Sequence, residues 1–320
     1  MKRRTFVRSG AAAVAAAALA DRGSRAPAAA DGAHDVSLAC AEYTFEHDFT
    51  QASAPLLKAH GGPFNPYYTY FGGPPQPDGP NGYRWWNDEL QVYSTAAYTP
   101  APFDPFRVSG GVLSITGKPT PPQFADAPKP YVSGCLETSK GYWGDADAVR
   151  AARRGHEQKY GYWEIRCRIP RAKGVWAGFW LNGGVTPAGG PRGYGEIDVF
   201  EAVGQPRTLH QTAHDWWAPA HLNESYAWTS PFDYAAGFHT YGLLWTPDSI
   251  AWYVDGVPTR RASSALAARY RELCGPLHMA VNLGIGGSWP GAPDASTRFP
   301  LVMEVAFLRA RALCPRASPS

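Results

Sequence analysis

In the stretch YGYWEIRCRI (160–169), Trp163, Ile165, Cys167 and Ile169 fall on one side, and Tyr162, Glu164, Arg166 and Arg168 on the other. A period of two marks a half-buried strand. Strand-like runs recur along the chain with almost no helical periodicity between them. VWAGFWL (175–181) is apolar on both faces, and GEIDVFEAV (195–203) follows it. Residues 207–214, 238–245, 249–254, 277–284 and 301–311 also read as strands, with shorter ones within 40–49, 86–93 and 112–116. Thr246-Pro247-Asp248 and Asp255-Gly256 are turn signals. One helix is expected at 261–273, capped by Ser263 or Ser264 and ended by Gly275. Many strands without strand–helix alternation predict an all-β chain of two antiparallel sheets packed as a sandwich.

The connections are long. Residues 50–84 are rich in Gly, Pro and Tyr, and 117–131 hold five prolines. Residues 144–157 are polar and Arg-rich, as an exposed insertion would be. The first thirty residues differ from the rest: a basic start, an Ala-rich apolar run, then small residues. That is the pattern of an export signal, and Arg3-Arg4 ahead of Thr5-Phe6-Val7 resembles the twin-arginine type. The expected organisation is a removable signal at 1–30 and one domain at 31–320, placed in the periplasm or outside the cell. Six of the 30 Lys/Arg and one of the 27 Asp/Glu lie in the signal, which leaves 24 against 26, a net charge of −2. Nothing in that balance favours a nucleic-acid partner, and no membrane span is expected after the signal. The five cysteines form no CxxC pair, which argues against a zinc site, while export permits a disulfide.

Glu196, Asp198 and Glu201 lie on one strand. Residues two apart on a regular strand point the same way, so Glu196 and Asp198 share a face. Glu201, five residues from Glu196, belongs on the opposite face unless an extra residue at Val199–Phe200 forms a β-bulge. Two readings are open at this point. One is a solvent-facing acidic strand. The other is a carboxylate pair for glycoside hydrolysis, which in a retaining mechanism stands about 5–5.5 Å apart. Bulky Ile197, Val199 and Phe200 place the strand inside a sheet and weigh against the first.

The run from Gly195 to Glu201 resembles the bulged catalytic signature of glycoside hydrolase family 16. YGYWEIRCRIPRAKGVWAGFWL (160–181), FHTYGLLWTPDSIAWYVDG (238–256), MAVNLGIGGSWPG (279–291) and WWNDELQVYS (85–94) are similar to its bacterial laminarinase- and lichenase-like β-glucanases. The resemblance covers roughly residues 42–311. It implies a concanavalin-like jelly roll with a concave cleft and retention of configuration. It also implies Glu196 as nucleophile, Glu201 as general acid/base, and Asp198 between them. Among aromatics that can pack on sugar rings, it points to Trp176 and Trp289. Trp86, Trp180 and Trp216 are further candidates, each weighed against a place in the core, and Trp217 follows Trp216 as a loop wall. Asn87, Glu89, His214 and Asn282 are candidate polar contacts.

The resemblance carries two further expectations. Many family members bind calcium through an Asp in the last strand, where this chain has Ala306, with Asp48 matching the other carboxylate. No metal and no cofactor are therefore expected. The first and last strands are neighbours in relatives, which brings Cys40 and Cys314 together as a disulfide. The expected activity is endo-hydrolysis of β-1,3 or mixed β-1,3/1,4 glucan by a monomer whose partner is the polysaccharide. Hydrolysis of another polysaccharide, such as a succinoglycan-like exopolysaccharide, transglycosylation, and a non-catalytic carbohydrate-binding sandwich are the alternatives.

Overall fold

The structure is a computed structural model that describes residues 35–50, 56–57, 62–65, 87–94, 103–122, 127–139, 155–183, 194–217 and 222–314. The expected export signal, Trp85, Trp86 and most of 50–84 and 144–157 lie outside the described residues. In chain order the strands begin with β1 (Phe45–His47), β2 (Gln91–Tyr93), β3 (Phe106–Ser109), β4 (Val112–Pro119), β5 (Tyr131–Ser133) and β6 (Cys135–Glu137). Then come β7 (Gly161–Arg168), β8 (Val175–Gly183), β9 (Gly195–Ala202), β10 (Thr208–Asp215) and β11 (Leu222–Thr229). The chain continues through β12 (His239–Thr246), β13 (Ser249–Val254), β14 (Val257–Arg261), helix α1 (Ser264–Leu273), β15 (Leu277–Ile285) and β16 (Leu301–Arg311).

These strands make two sheets. One has ten strands, in the order β14-β13-β12-β7-β16-β4-β5-β2, with β1 also beside β16 and β3 beside β4. The other has six, in the order β11-β10-β9-β8-β15-β6. All pairings are antiparallel except β2 with β5, which run parallel. The chain is thus the expected jelly-roll sandwich. On β7 the face chosen by periodicity is the core face: Trp163, Ile165, Cys167 and Ile169 are fully buried. Between the sheets they meet Phe179, Ile197, Phe200 and Met279, and the Phe200 and Tyr241 rings lie 4.7 Å apart. Trp163, Trp245 and Trp252 are also fully buried. An aromatic side chain removes about 150–250 Å² from water, on the order of 4–6 kcal/mol of gross burial each.

Helix α1 starts at the predicted cap, with the Ser263 hydroxyl accepting the Leu266 N–H at 3.2 Å. Its other end departs from expectation. Cys274 is extended and its N–H returns to Tyr270 O, so no left-handed Gly275 closes it. Strands β11 and β14 do not show the apolar alternation of a half-buried strand. Both are mostly exposed, so burial imposes no apolar period on them.

Cys40 and Cys314 are disulfide-bonded, with Cα atoms 4.7 Å apart across 274 residues of sequence. The backbone prepares this closure: β1 pairs with β16, and Cys40 N and Cys314 N donate to Ala312 O and Leu38 O, each at 2.8 Å. Cys135, Cys167 and Cys274 are buried thiols outside the disulfide. Asp48, expected opposite Ala306 at a calcium position, instead caps its own turn by accepting from the Thr50 N–H and hydroxyl at 3.1 and 2.7 Å. Ala306 sits at the irregularity between Val305 and Phe307 where β16 passes β7. A thiol titration should find no fast-reacting group in the native protein and three after denaturation without reductant. Reducing the disulfide should destabilise the fold by about 2–4 kcal/mol, read as a lower midpoint in urea.

Candidate active site

Strand β9 carries a bulge at the place where one would bring Glu201 to the face of Glu196. Opposite β8, Phe179 pairs with Phe200 and Trp180 with Asp198, so Val199 is the extra residue. Opposite β10, His210 pairs with Glu201 and Thr212 with Asp198 across the same irregularity. Val199 and Phe200 both remain in the core. The parity slip therefore returns Glu201 to the face of Glu196 and Asp198 without exposing an apolar side chain. A cross-sheet bond holds the spot: Trp252 of β13 donates its indole N–H to Asp198 O at 2.8 Å.

Each glutamate is held by its own tryptophan. Trp216 Nε1 donates to Glu196 Oε2 at 2.8 Å, and Trp176 Nε1 donates to Glu201 Oε1 at 2.9 Å. Asp198 is buried between them, with its Oδ2 3.3 Å from His214 Nε2. Glu196, Glu201, His214, Trp176, Trp180 and Trp216 are partly exposed. His214 lies flat on Trp216, centroids 5.1 Å apart, and Tyr194 stacks on Trp216 at 5.7 Å. On the Glu201 side Trp289, 44% exposed, stands edge-on to Trp176 at 5.5 Å and to His210 at 4.7 Å. His210, Thr212 and His214 alternate along β10 beside Glu201, Asp198 and Glu196. His210 was missed in the sequence, although its four-residue spacing from His214 on one strand puts both on one face.

Other sequence candidates fall elsewhere. Glu89 is buried and its carboxylate accepts from Gln91 Nε2 at 2.6 Å and the Tyr93 hydroxyl at 3.2 Å. Asn282 is also buried, accepting from Trp180 Nε1 at 3.0 Å and donating to the Tyr93 hydroxyl at 2.9 Å. Both side chains are thus engaged within the fold, where the run Glu89–Tyr93–Asn282–Trp180 supports the Trp180 ring. Asn87 is exposed, in a turn with φ +47°. Its neighbour Asp88 accepts the Ser288 N–H at 2.7 Å and so fixes the loop that bears Trp289. Trp217 is no loop wall. It is fully buried, with its ring 5.4 Å from Tyr270.

Crowding sets the electrostatics. Burial, then the Asp198 charge, pushes Glu196 up to about 8, with His214 and the Trp216 N–H opposing. Burial and Asp198 likewise push Glu201 up to about 8 against the Trp176 N–H, and burial pushes Asp198 up to about 7. Three carboxyls so close cannot all ionise near neutrality, so the cluster retains protons. Ligand atoms of Glu196, Asp198 and His214 lie within 4.8 Å of one another, the one such grouping among the described residues.

A β-sandwich with a tryptophan-walled, carboxylate-bearing face defines a glycoside hydrolase. Residues 151–303 match the family described as Glycosyl hydrolases family 16. Endo-1,3-1,4-beta-glycanase EglC of Rhizobium meliloti (strain 1021) is 34% identical over 71% of this chain and 44% of its own length. A Beta-glucanase of Rhodothermus marinus is 31% identical over 71% of this chain and 76% of its own. The chain belongs to glycoside hydrolase family 16. Among solved structures, SCLam, a non-specific endo-beta-1,3(4)-glucanase of that family, aligns with TM-score 0.62 and 27% identity over 85% of this chain and 91% of its own. The chain spans less than half the length of EglC.

The raised carboxyls make a stability prediction. Unfolding returns them to about 4.3, so between there and about 8 the folded state binds more protons than the unfolded one. Stability contributed by the cluster then falls as pH rises through that window. Glu196→Gln, which removes one charge from the crowd, should raise the melting temperature more at pH 8.5 than at pH 5, by scanning calorimetry. An equal shift at both values would show that the charges are not in conflict.

Proposed function

We propose that this chain is an exported endo-acting β-glucanase that cleaves β-1,3 or mixed β-1,3/1,4 glucan with retention of configuration. The observation that carries the reading is the bulge that sets Glu201 on the face of Glu196, each carboxylate bonded by its own indole. The printed activities of EglC and the Rhodothermus marinus enzyme support the substrate class. Export is supported by the first thirty residues and by the Cys40–Cys314 disulfide, which suits an oxidising compartment. No helix among the described residues is long and apolar enough to cross a membrane.

In this mechanism the reactive form of the cluster carries its proton on Glu201, which gives it to the glycosidic oxygen as the bond to C1 breaks. Glu196, as carboxylate, attacks C1 and forms a glycosyl-enzyme. Water then enters, Glu201 takes its proton, and the new C1–O bond releases Glu196. The Trp216 N–H steadies the nucleophile, and the Trp176 N–H orients the acid. Trp176, Trp180 and Trp289 offer faces for sugar rings. Asp198, buried and close to His214, tunes the charge felt by both glutamates.

A reducing-end assay on laminarin, lichenan, agarose, carrageenan and succinoglycan tests the substrate, with product anomers followed by proton NMR. Laminarin or lichenan should be cut to oligosaccharides whose first-formed anomer is β. Preference for succinoglycan would move the chain to the second substrate class, and a first-formed α anomer would rule out retention. Glu196→Gln should lower kcat at least about 10⁴-fold with the fold intact. The kcat/KM profile should be bell-shaped. Its basic limb, near 8, marks loss of the acid's proton. Glu201→Gln should abolish that limb on an aryl glycoside whose leaving group needs no proton.

A further inference from the structure

The chain's helix packs against β10 and β13 and reaches the strand of Glu196 through Tyr270. Tyr270 of α1 is fully buried, and its hydroxyl sits at the rung where β9 and β10 pair through Glu196 and His214. It accepts the Glu196 N–H at 3.1 Å. Its single hydrogen is shared between Glu196 O at 2.7 Å and His214 O at 2.5 Å. One hydroxyl thus holds the main chain of the proposed nucleophile and of the imidazole beside Asp198. The preceding helix residue secures the same place: Arg269 pairs with the buried carboxylate of Asp215, the neighbour of His214, which also accepts the Trp217 N–H at 3.0 Å. Gly195 makes the approach feasible. A Cβ there would stand 2.7 Å from Cys274 Sγ, 2.9 Å from the Tyr270 ring and 3.0 Å from Trp217.

We propose that Tyr270 is a positioning residue for catalysis, fixing Glu196 relative to His214 and Asp198 by bonding the backbone of both strands from behind the site. This rests on the reading of Glu196 as nucleophile. A side chain can be displaced by sliding its own strand, and the indole of Trp216 restrains only the carboxylate tip. The tyrosine restrains the main chain beneath it. Misplacement of a reacting group by about 1 Å can cost 10²-fold in rate while substrate binding is unaffected. The hydroxyl never meets the glycan, so its loss should appear in kcat and leave KM alone.

The test is Tyr270→Phe, which keeps the ring that fills the space. The readouts are hydrolysis of lichenan and inactivation by 2-deoxy-2-fluoro-laminaribiosyl fluoride, with mass spectrometry locating and counting the label. The expected result is a kcat lower by about 10- to 100-fold, with KM within about 3-fold. The maximal labelling rate should fall by the same factor, with unchanged inhibitor affinity and one label per chain on Glu196. Gly195→Ala, which pushes the ring away without touching its hydroxyl, should give the same split. The proposal is overturned if both variants keep wild-type kcat and labelling rate. It is equally overturned if activity falls only in proportion to the fraction of chains labelled, because that is loss of folded protein. Absence of label on Glu196 in the wild type would instead refute the nucleophile assignment itself.

Discussion

The site depends on one extra residue in one strand. Without Val199 as a bulge, Glu201 would point into the sandwich, and Phe200 would point at solvent. The bulge also needs an anchor, because a strand that breaks its register loses ladder contacts. Here the anchor comes from the opposite sheet: the buried indole of Trp252 donates to Asp198 O. Core packing and site geometry are therefore one structure. The Trp252 ring fills the core on one side, while its N–H steadies the carboxylate strand on the other.

That strand bears a conflict by design of its chemistry. Burial raises the proton affinity of all three carboxyls, and the Asp198 charge raises that of both glutamates further, which weakens the fold at alkaline pH and keeps protons on the cluster near neutrality. Neutral indole donors manage the conflict. Trp216 and Trp176 each stabilise a glutamate by hydrogen bonding, and neither brings a cation that would favour full ionisation. A lysine or arginine in either place would lower the carboxyl it touched, and in the place of Trp176 it would deprive Glu201 of the proton that the proposed mechanism needs.

Much of this was legible in the chain. The period of two in 160–169 marked Trp163, Ile165 and Cys167 as the core face of β7 but missed the burial of Tyr162 on the other, where a second small cluster covers it, and parity between Glu196 and Glu201 named a bulge at 199–200 as the condition for bringing them together, which is where one stands. What escaped reading had physical causes. Strands β11 and β14 are exposed, so no apolar period was imposed on them. His210 shares a face with His214, yet a histidine looks the same in sequence whether it lines a cleft or not. Glu89 and Asn282 are polar residues near the right tryptophans, and only the contacts show that they serve Trp180 rather than solvent. Tyr270 reaches a strand 74 residues earlier in the chain. Its role was invisible because no local pattern in a helix announces which distant rung it will touch.

The Cys40–Cys314 bond turns most of the polypeptide into a closed ring. All of β1 to β16, with the connections between them, lies between the two cysteines and so inside a covalent circle. A protease that cuts one connection opens the circle without detaching any strand. A first cut therefore yields a linear chain with new ends and every sheet neighbour still tethered.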